Sequence, residues 1–267
     1  MTAPRVLTEL DDGVLLATLN RPDRKNAFDD PQWDGLRETL DRAREDRSVA
    51  VVLLTGAGGN FSSGQDLTAF PTDGDGADDG GSAIGSIEDT AFSRFVDSLV
   101  GFDKPLVAAA TGIAVGGGAT ILFHADVLYV GDGLRMRLPF ANLGLVPELA
   151  SSYTLQQMIG SQRAAELFYT AEWIDATRAV DVGIAAAAYA DDELLGAART
   201  KAKEIAQWPV ASLQATQRCL MAAPSEGISR ARGIEIESMM ERAGSPENIV
   251  AIMAFLEKRP PDFAQFR

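Results

Sequence analysis

The chain has 267 residues, long enough to bury a substantial core without disulfides or structural metals. Apolar residues make up 46% and charged residues 23%, which excludes wholesale disorder. Asp plus Glu number 38 against 24 Lys plus Arg; the net charge of −14 argues against nucleic acid and anionic membranes as partners.

Residues 6–10 and 14–19 are short apolar runs around Asp11-Asp12-Gly13, which predicts a β-hairpin turning on Asp-Gly. The chain leaves it through Asn20-Arg21-Pro22-Asp23-Arg24-Lys25-Asn26, a polar and locally basic loop. Asp30-Pro31 reads as an N-cap with proline at the first helical position. Trp33, Leu36, Leu40 and Ala43 then recur at helical spacing, which predicts an amphipathic helix over 31–46. Residues 49–55 form a continuous β-rich run that predicts a buried parallel strand, ended by Gly56, Gly58 and Gly59. Residues 71–82 hold four Asp and four Gly, and read as a solvated loop, an insertion in preference to a lid.

Phe92, Phe95, Val96 and Leu99 mark a helix ending near Gly101. Pro105 precedes a second buried strand at 106–110, and Gly116-Gly117-Gly118 leads into a small apolar helix over 119–124. A third strand is expected at 127–130, and a helix follows Glu148 through Leu155 and Met158. Helices are predicted at 163–169 and 175–182, the second stopped by Gly183, and a strand at 184–189. Beyond Asp191 every segment reads as helical: 192–207, 210–222, 226–243 and 246–257. The class is therefore α/β, with alternating strands and helices over 1–190 and a helical region over 191–267.

Several chemistries are excluded by residue type. One cysteine, Cys219, permits neither an intramolecular disulfide nor a Cys-based zinc site, and one histidine, His124, permits no multi-His metal site. Met1 to Leu10 shows no basic segment leading into an apolar run, no window is long enough for a transmembrane helix, and Ala264-Gln265-Phe266-Arg267 is not a peroxisomal address; a cytoplasmic protein is expected. Neither a dinucleotide fingerprint nor a phosphate-binding loop of the NTPase kind is present. Asn60-Phe61-Ser62-Ser63-Gly64 misses the nucleophile-elbow pattern at its first position. His124, on an apolar helix, reads as a core or subunit-contact residue and not as a triad base.

Two glycine-flanked turns each follow a buried strand: Phe61-Ser62-Ser63-Gly64-Gln65-Asp66-Leu67 and Gly116-Gly117-Gly118. Glycine lets backbone approach a ligand, and a helix N-terminus exposes unpaired N–H groups. Side by side, two such turns can aim two N–H donors at one oxygen; alone, they can equally be tight strand-to-helix connections.

Taken together, Leu19-Asn20-Arg21-Pro22, Asn26-Ala27, the 61–67 turn, Pro105 and the 112–118 stretch resemble, in order and spacing, the enoyl-CoA hydratase/isomerase (crotonase) superfamily, over about residues 5–260. The resemblance implies a crotonase-like ββα spiral core over 1–190 and a C-terminal helical trimerisation region over 191–267. It implies acyl-CoA thioester substrates, with CoA part of the substrate and no separate cofactor or metal, and a homotrimer or dimer of trimers. By position, the oxyanion donors would be the N–H groups of Gln65 and Gly117. The segments matching the CoA contacts hold Arg24, Lys25 and Ala27, then Ser63, Gly64, Gln65, Asp66 and Leu67, with Gly116 beside them. Lys258 is either a CoA-phosphate contact across a subunit boundary or a solvated lysine.

The reaction is read from carboxylates. Hydratases of this superfamily use two glutamates; the matching positions here are Thr120 and Phe140, and neither is a general base. Phe140, with Leu145, is expected instead to line an apolar pocket. A carboxylate stands at Glu148, in Pro147-Glu148-Leu149-Ala150-Ser151-Ser152-Tyr153-Thr154, a segment similar to the peroxisomal type of Δ3,Δ2-enoyl-CoA isomerase, in which this glutamate is the base. Without that likeness, Glu148 reads equally as a helix-start carboxylate complementing the dipole. Thioester cleavage, halide displacement, opening of a C–C bond, weak hydration or passive acyl-CoA binding remain alternatives at this level.

Overall fold

The computed structural model describes residues 3–66 and 90–267. The loop expected at 71–82 lies outside them. The opening hairpin is β1 (Val6–Asp11) and β2 (Val14–Leu19), antiparallel, with Asp12 and Gly13 both at positive φ as a type I′ turn needs. From β2 the sheet grows through parallel neighbours: β3 (Val51–Gly56), β4 (Leu106–Ala110), β6 (Val127–Gly131) and β8 (Ala187–Tyr189). A separate parallel pair, β5 (Ile113–Val115) with β7 (Arg135–Arg137), stands beside it.

The period-2 alternation of the strands feeds two cores. Val52, Leu54, Leu106 and Ala108 face one way, and Val51, Leu53, Val107 and Ala109 the other. The first face is covered by α1 (Asp30–Glu45) and α2 (Ala91–Val100), through Trp33, Leu36, Leu40, Phe95 and Leu99. Each such side chain contributes roughly 1.5–3 kcal/mol on burial. Next in sequence come α3 (Gly117–Thr120), α4 (Ser151–Ile159), α5 (Ser161–Thr170) and α6 (Ala176–Val182). The second face is covered by α7 (Asp191–Ala206), through Leu194, Ala198 and Ala202. The chain closes with α8 (Val210–Ala222), α9 (Ser225–Arg242) and α10 (Pro246–Leu256). Among the described residues no helix is long and apolar enough to cross a membrane.

Three expectations shift, and one strand pair goes unpredicted. The cap of α1 is Asp29, whose side chain accepts from Gln32 N–H, and Asp30 is already helical. α3 begins at Gly117, two residues early, because Gly116 (φ 53, ψ −124) makes the turn. The last strand covers only Ala187–Tyr189: the N–H groups of Ile184 and Ala185 both bond back to Ala179 O, completing the end of α6. The β5–β7 pair gives no sequence signal, since each strand has three residues and β7 is Arg-Met-Arg.

Candidate active site

The β5 pair brings the two glycine turns together. Phe61 N–H donates to Thr111 O (2.9 Å), Ser62 N–H to Ile113 O (2.9 Å) and Val115 N–H to Ser62 O (3.0 Å), so the two chain segments run side by side. They pack too closely for side chains. A Cβ on Gly64 would lie 2.4 Å from Val115 O, and one on Gly118 would lie 2.3 Å from Ser62 O. The same added Cβ on Gly64, whose φ is 84, would lie 3.6 Å from Gly117 N. Among the described residues, no acceptor takes the N–H of Gln65 or of Gly117. Gly117 opens α3, where a free N–H is expected. The arrangement can place two backbone donors on one oxygen.

The 61–66 turn is clipped to the basic loop. Ser63 N–H donates to Lys25 O (2.9 Å), Phe28 N–H to Gly64 O (2.8 Å) and Asp66 N–H to Phe28 O (2.9 Å). Asp66 pairs with Arg21 at 2.8 Å, while the side chains of Arg24 and Lys25 are exposed beside it. Asn26, fully buried with φ 54, anchors the loop: its Nδ2 donates to Ala57 O (2.9 Å) and Asn60 O (2.8 Å), and its Oδ1 accepts from Arg21 N–H (2.8 Å). Asn26→Ala is expected to cost about 2–4 kcal/mol in urea unfolding, because two part-buried carbonyls and one N–H lose their partner and the left-handed backbone loses a residue suited to it.

Glu148 completes the cluster. It is partly buried, and a Cβ on Gly117 would lie 3.0 Å from its Oε1 and 3.6 Å from Cη2 of Trp33. Trp33 stacks on Phe28 (3.8 Å between centroids) and donates its indole N–H to Gln65 Oε1 at 3.0 Å. Removal from water pushes the Glu148 carboxyl up to about 7, helped by the charge of Glu235. Glu148 is not in the first turn of its helix, since α4 starts at Ser151. Leu149 and Ala150 between them are both left-handed, at φ 58 and 53.

A family model described as enoyl-CoA hydratase/isomerase matches residues 9–266. The chain belongs to the enoyl-CoA hydratase/isomerase family. It is 31% identical over 261 residues to enoyl-CoA delta isomerase 2 of Rattus norvegicus, a match covering 96% of this chain and 64% of the rat protein. It is 29% identical to 1,2-epoxyphenylacetyl-CoA isomerase of Escherichia coli K12, covering 97% of each. The solved enoyl-CoA hydratase/isomerase of Pseudoalteromonas atlantica T6c superposes with a TM-score of 0.87 at 30% identity, over 97% of this chain and 100% of that one. The fold is the crotonase fold.

Within this family member the expected site residues divide. Gln65, Gly117, Gly116, Gly64 and Glu148 come together, and Arg24, Lys25, Ala27, Ser63 and Asp66 form the adjoining loop. Leu67 lies outside the described residues. Phe140 is buried in the main core against Phe168, at 6.3 Å between centroids. Lys258 is exposed just past the end of α10 and pairs with no described residue. Thr120 is fully buried, with no described partner for its Oγ1.

Three participants were not anticipated: Trp33, read only as an apolar face residue; His124, whose Nε2–H donates to Leu149 O at 2.6 Å; and Glu235. Glu235 had a signal. It stands seven residues after Ile228, and these two are the buried positions of α9, so a carboxylate occupies a core-facing place in the helical repeat.

Proposed function

We propose that this protein is a Δ3,Δ2-enoyl-CoA isomerase that shifts the double bond of a 3-enoyl-CoA into conjugation with its thioester. The observation that carries the reading is the one carboxylate found against Gly117 among the described residues, Glu148, while Thr120 and Phe140 stand where a hydratase needs its two glutamates. Glu148 removes a C2 proton and the electron pair moves to the thioester oxygen. The N–H groups of Gln65 and Gly117 hold that oxyanion, each donor being worth roughly 3–4 kcal/mol. The same carboxyl returns the proton at C4, the C3=C4 bond becomes C2=C3, and the enzyme ends as it began. No separate cofactor is required. The exposed Arg24 and Lys25 suit the phosphates of CoA on an otherwise acidic protein. The exposed Ile249, Met253, Phe255 and Leu256 of α10 support self-association into trimers.

The test is a steady-state assay with 3-hexenoyl-CoA, read at the ultraviolet absorbance of the conjugated thioester. The wild type should form it. Binding of the CoA ester without conjugation would sink the reading and direct attention to thioester hydrolysis. The base must be ionised to act, and burial has raised its carboxyl to about 7, so kcat/KM should climb with pH through that value and level off above it. An acid limb in the ordinary carboxylate range would remove the argument for a desolvated base.

A further inference from the structure

The start of α4 has no capping side chain of its own, since its N-cap is Ala150. Leu149 and Ala150 are left-handed, a conformation strained for residues that carry a Cβ. Two groups from elsewhere hold them. His124, in the turn after α3, donates to Leu149 O, and burial pulls this imidazole away from its charged form. Glu235, 6% exposed on α9, accepts from Ala150 N–H with Oε2 (2.7 Å) and from Ser152 N–H with Oε1 (2.9 Å). Burial raises the Glu235 carboxyl, and the backbone donors that engage both its oxygens at a helix N-terminus act against that rise, in favour of the ionised form.

We propose that Glu235 is a positioning residue for Glu148: it fixes the left-handed turn that aims Glu148 at Gly117, and it sets one buried negative charge behind that turn. The proposal rests on the reading of Glu148 as the base. The groups facing this region are few. α4 carries only Tyr153, packed on Gly227; α3 carries none, and the turn after it carries His124. On α9 every other charged side chain is exposed except Arg232, which turns to Asp97 and Ser93. Glu235 is the charge that acts on Glu148, second to burial in raising its carboxyl.

The variant is Glu235→Gln, which removes the charge and puts an amide donor against a backbone N–H. With 3-hexenoyl-CoA, the acid limb of kcat/KM should move down by about one pH unit. kcat should fall about tenfold while KM stays within twofold, as expected when a reacting group is misaimed and substrate contacts are kept. The Glu148 carboxyl carbon, assigned in 13C NMR by its loss in Glu148→Gln, should titrate lower by the same amount. Arg232→Gln, which unties α9 from α2 without touching Glu235, should lower Tm and leave both titrations in place. The proposal falls if Glu235→Gln leaves both curves on the wild type, or if Arg232→Gln moves them equally. Should Glu235→Gln not fold, the wild type decides: Glu235 should ionise first, and the Glu148 carbon should show an inflection at the Glu235 midpoint; a Glu148 curve without one overturns the proposal. If the wild type gives no conjugated product while the Glu148 titration responds to Glu235, the isomerase reading fails and the positioning role stands.

Discussion

Glu148→Gln lowers the rate of 3-enoyl-CoA conversion by about 10²–10⁴-fold and leaves CoA-ester affinity within a few-fold, because the amide fills the same space but takes no proton. Steady-state kinetics with isothermal titration of the product ester checks both halves; a variant that binds and still converts would remove Glu148 from the reaction. The same substitution has an opposite effect on stability. The folded carboxyl is raised to about 7 from an ordinary 4.5, so the native state holds the proton more tightly than the unfolded chain. Wild-type stability therefore declines as pH rises from the ordinary value through 7, and it is unaffected by this group below both values. Glu148→Gln escapes that decline, and at pH 8 it should be more stable than the wild type by on the order of 2–3 kcal/mol. Denaturant melts at pH 4 and pH 8 should show the gain only at the higher pH. A gain of equal size at both values would mean that packing, not charge, is responsible.

Gly64→Ala is the second large effect. Its backbone lies at φ 84, and the added Cβ would fall 2.4 Å from the carbonyl oxygen of Val115. That oxygen is backbone in the segment leading to Gly117, so relief has to come from separating the two turns. Loss of about 3 kcal/mol or more is expected, from left-handed strain and overpacking together. Displacing the Gln65 donor should cut kcat about 10²–10³-fold. Gly196→Ala is the control: nothing lies within 4 Å of its Cβ position on α7, and a gain of about 0.5–1 kcal/mol with unchanged kcat is expected. Thermal melts and kinetics on the pair would show whether the closeness of the two turns is what catalysis requires.

Much of this was legible in the sequence, for local reasons. Asp11-Asp12-Gly13 specified its hairpin because only a few residue pairs accept two positive φ angles in succession. The runs at 49–55 and 106–110 declared themselves buried by being apolar on both faces. The glycines at 64 and 118 flagged positions where backbone meets backbone. What escaped has a common character: it depends on pairs far apart in the chain. β5 and β7 exist because they meet each other, not because three residues prefer to be extended. Trp33 looked like any helix-face aromatic until its indole N–H was found on Gln65, 32 residues later. The dipole-complementing role that the sequence offers to Glu148 at the start of α4 belongs to Glu235, 85 residues beyond Ala150.

That last separation governs the order in which the molecule matures. A growing polypeptide that has emerged as far as Ala206 already contains all eight described strands, both glycine turns and Glu148 itself. It still lacks α9, and with it the carboxylate that satisfies Ala150 and Ser152. The two glycine turns are therefore encoded early, while the turn that follows Glu148 has its Glu235 partner only once α9 is present. During synthesis, the residues proposed to hold the thioester oxygen therefore precede the carboxylate proposed to steady the base.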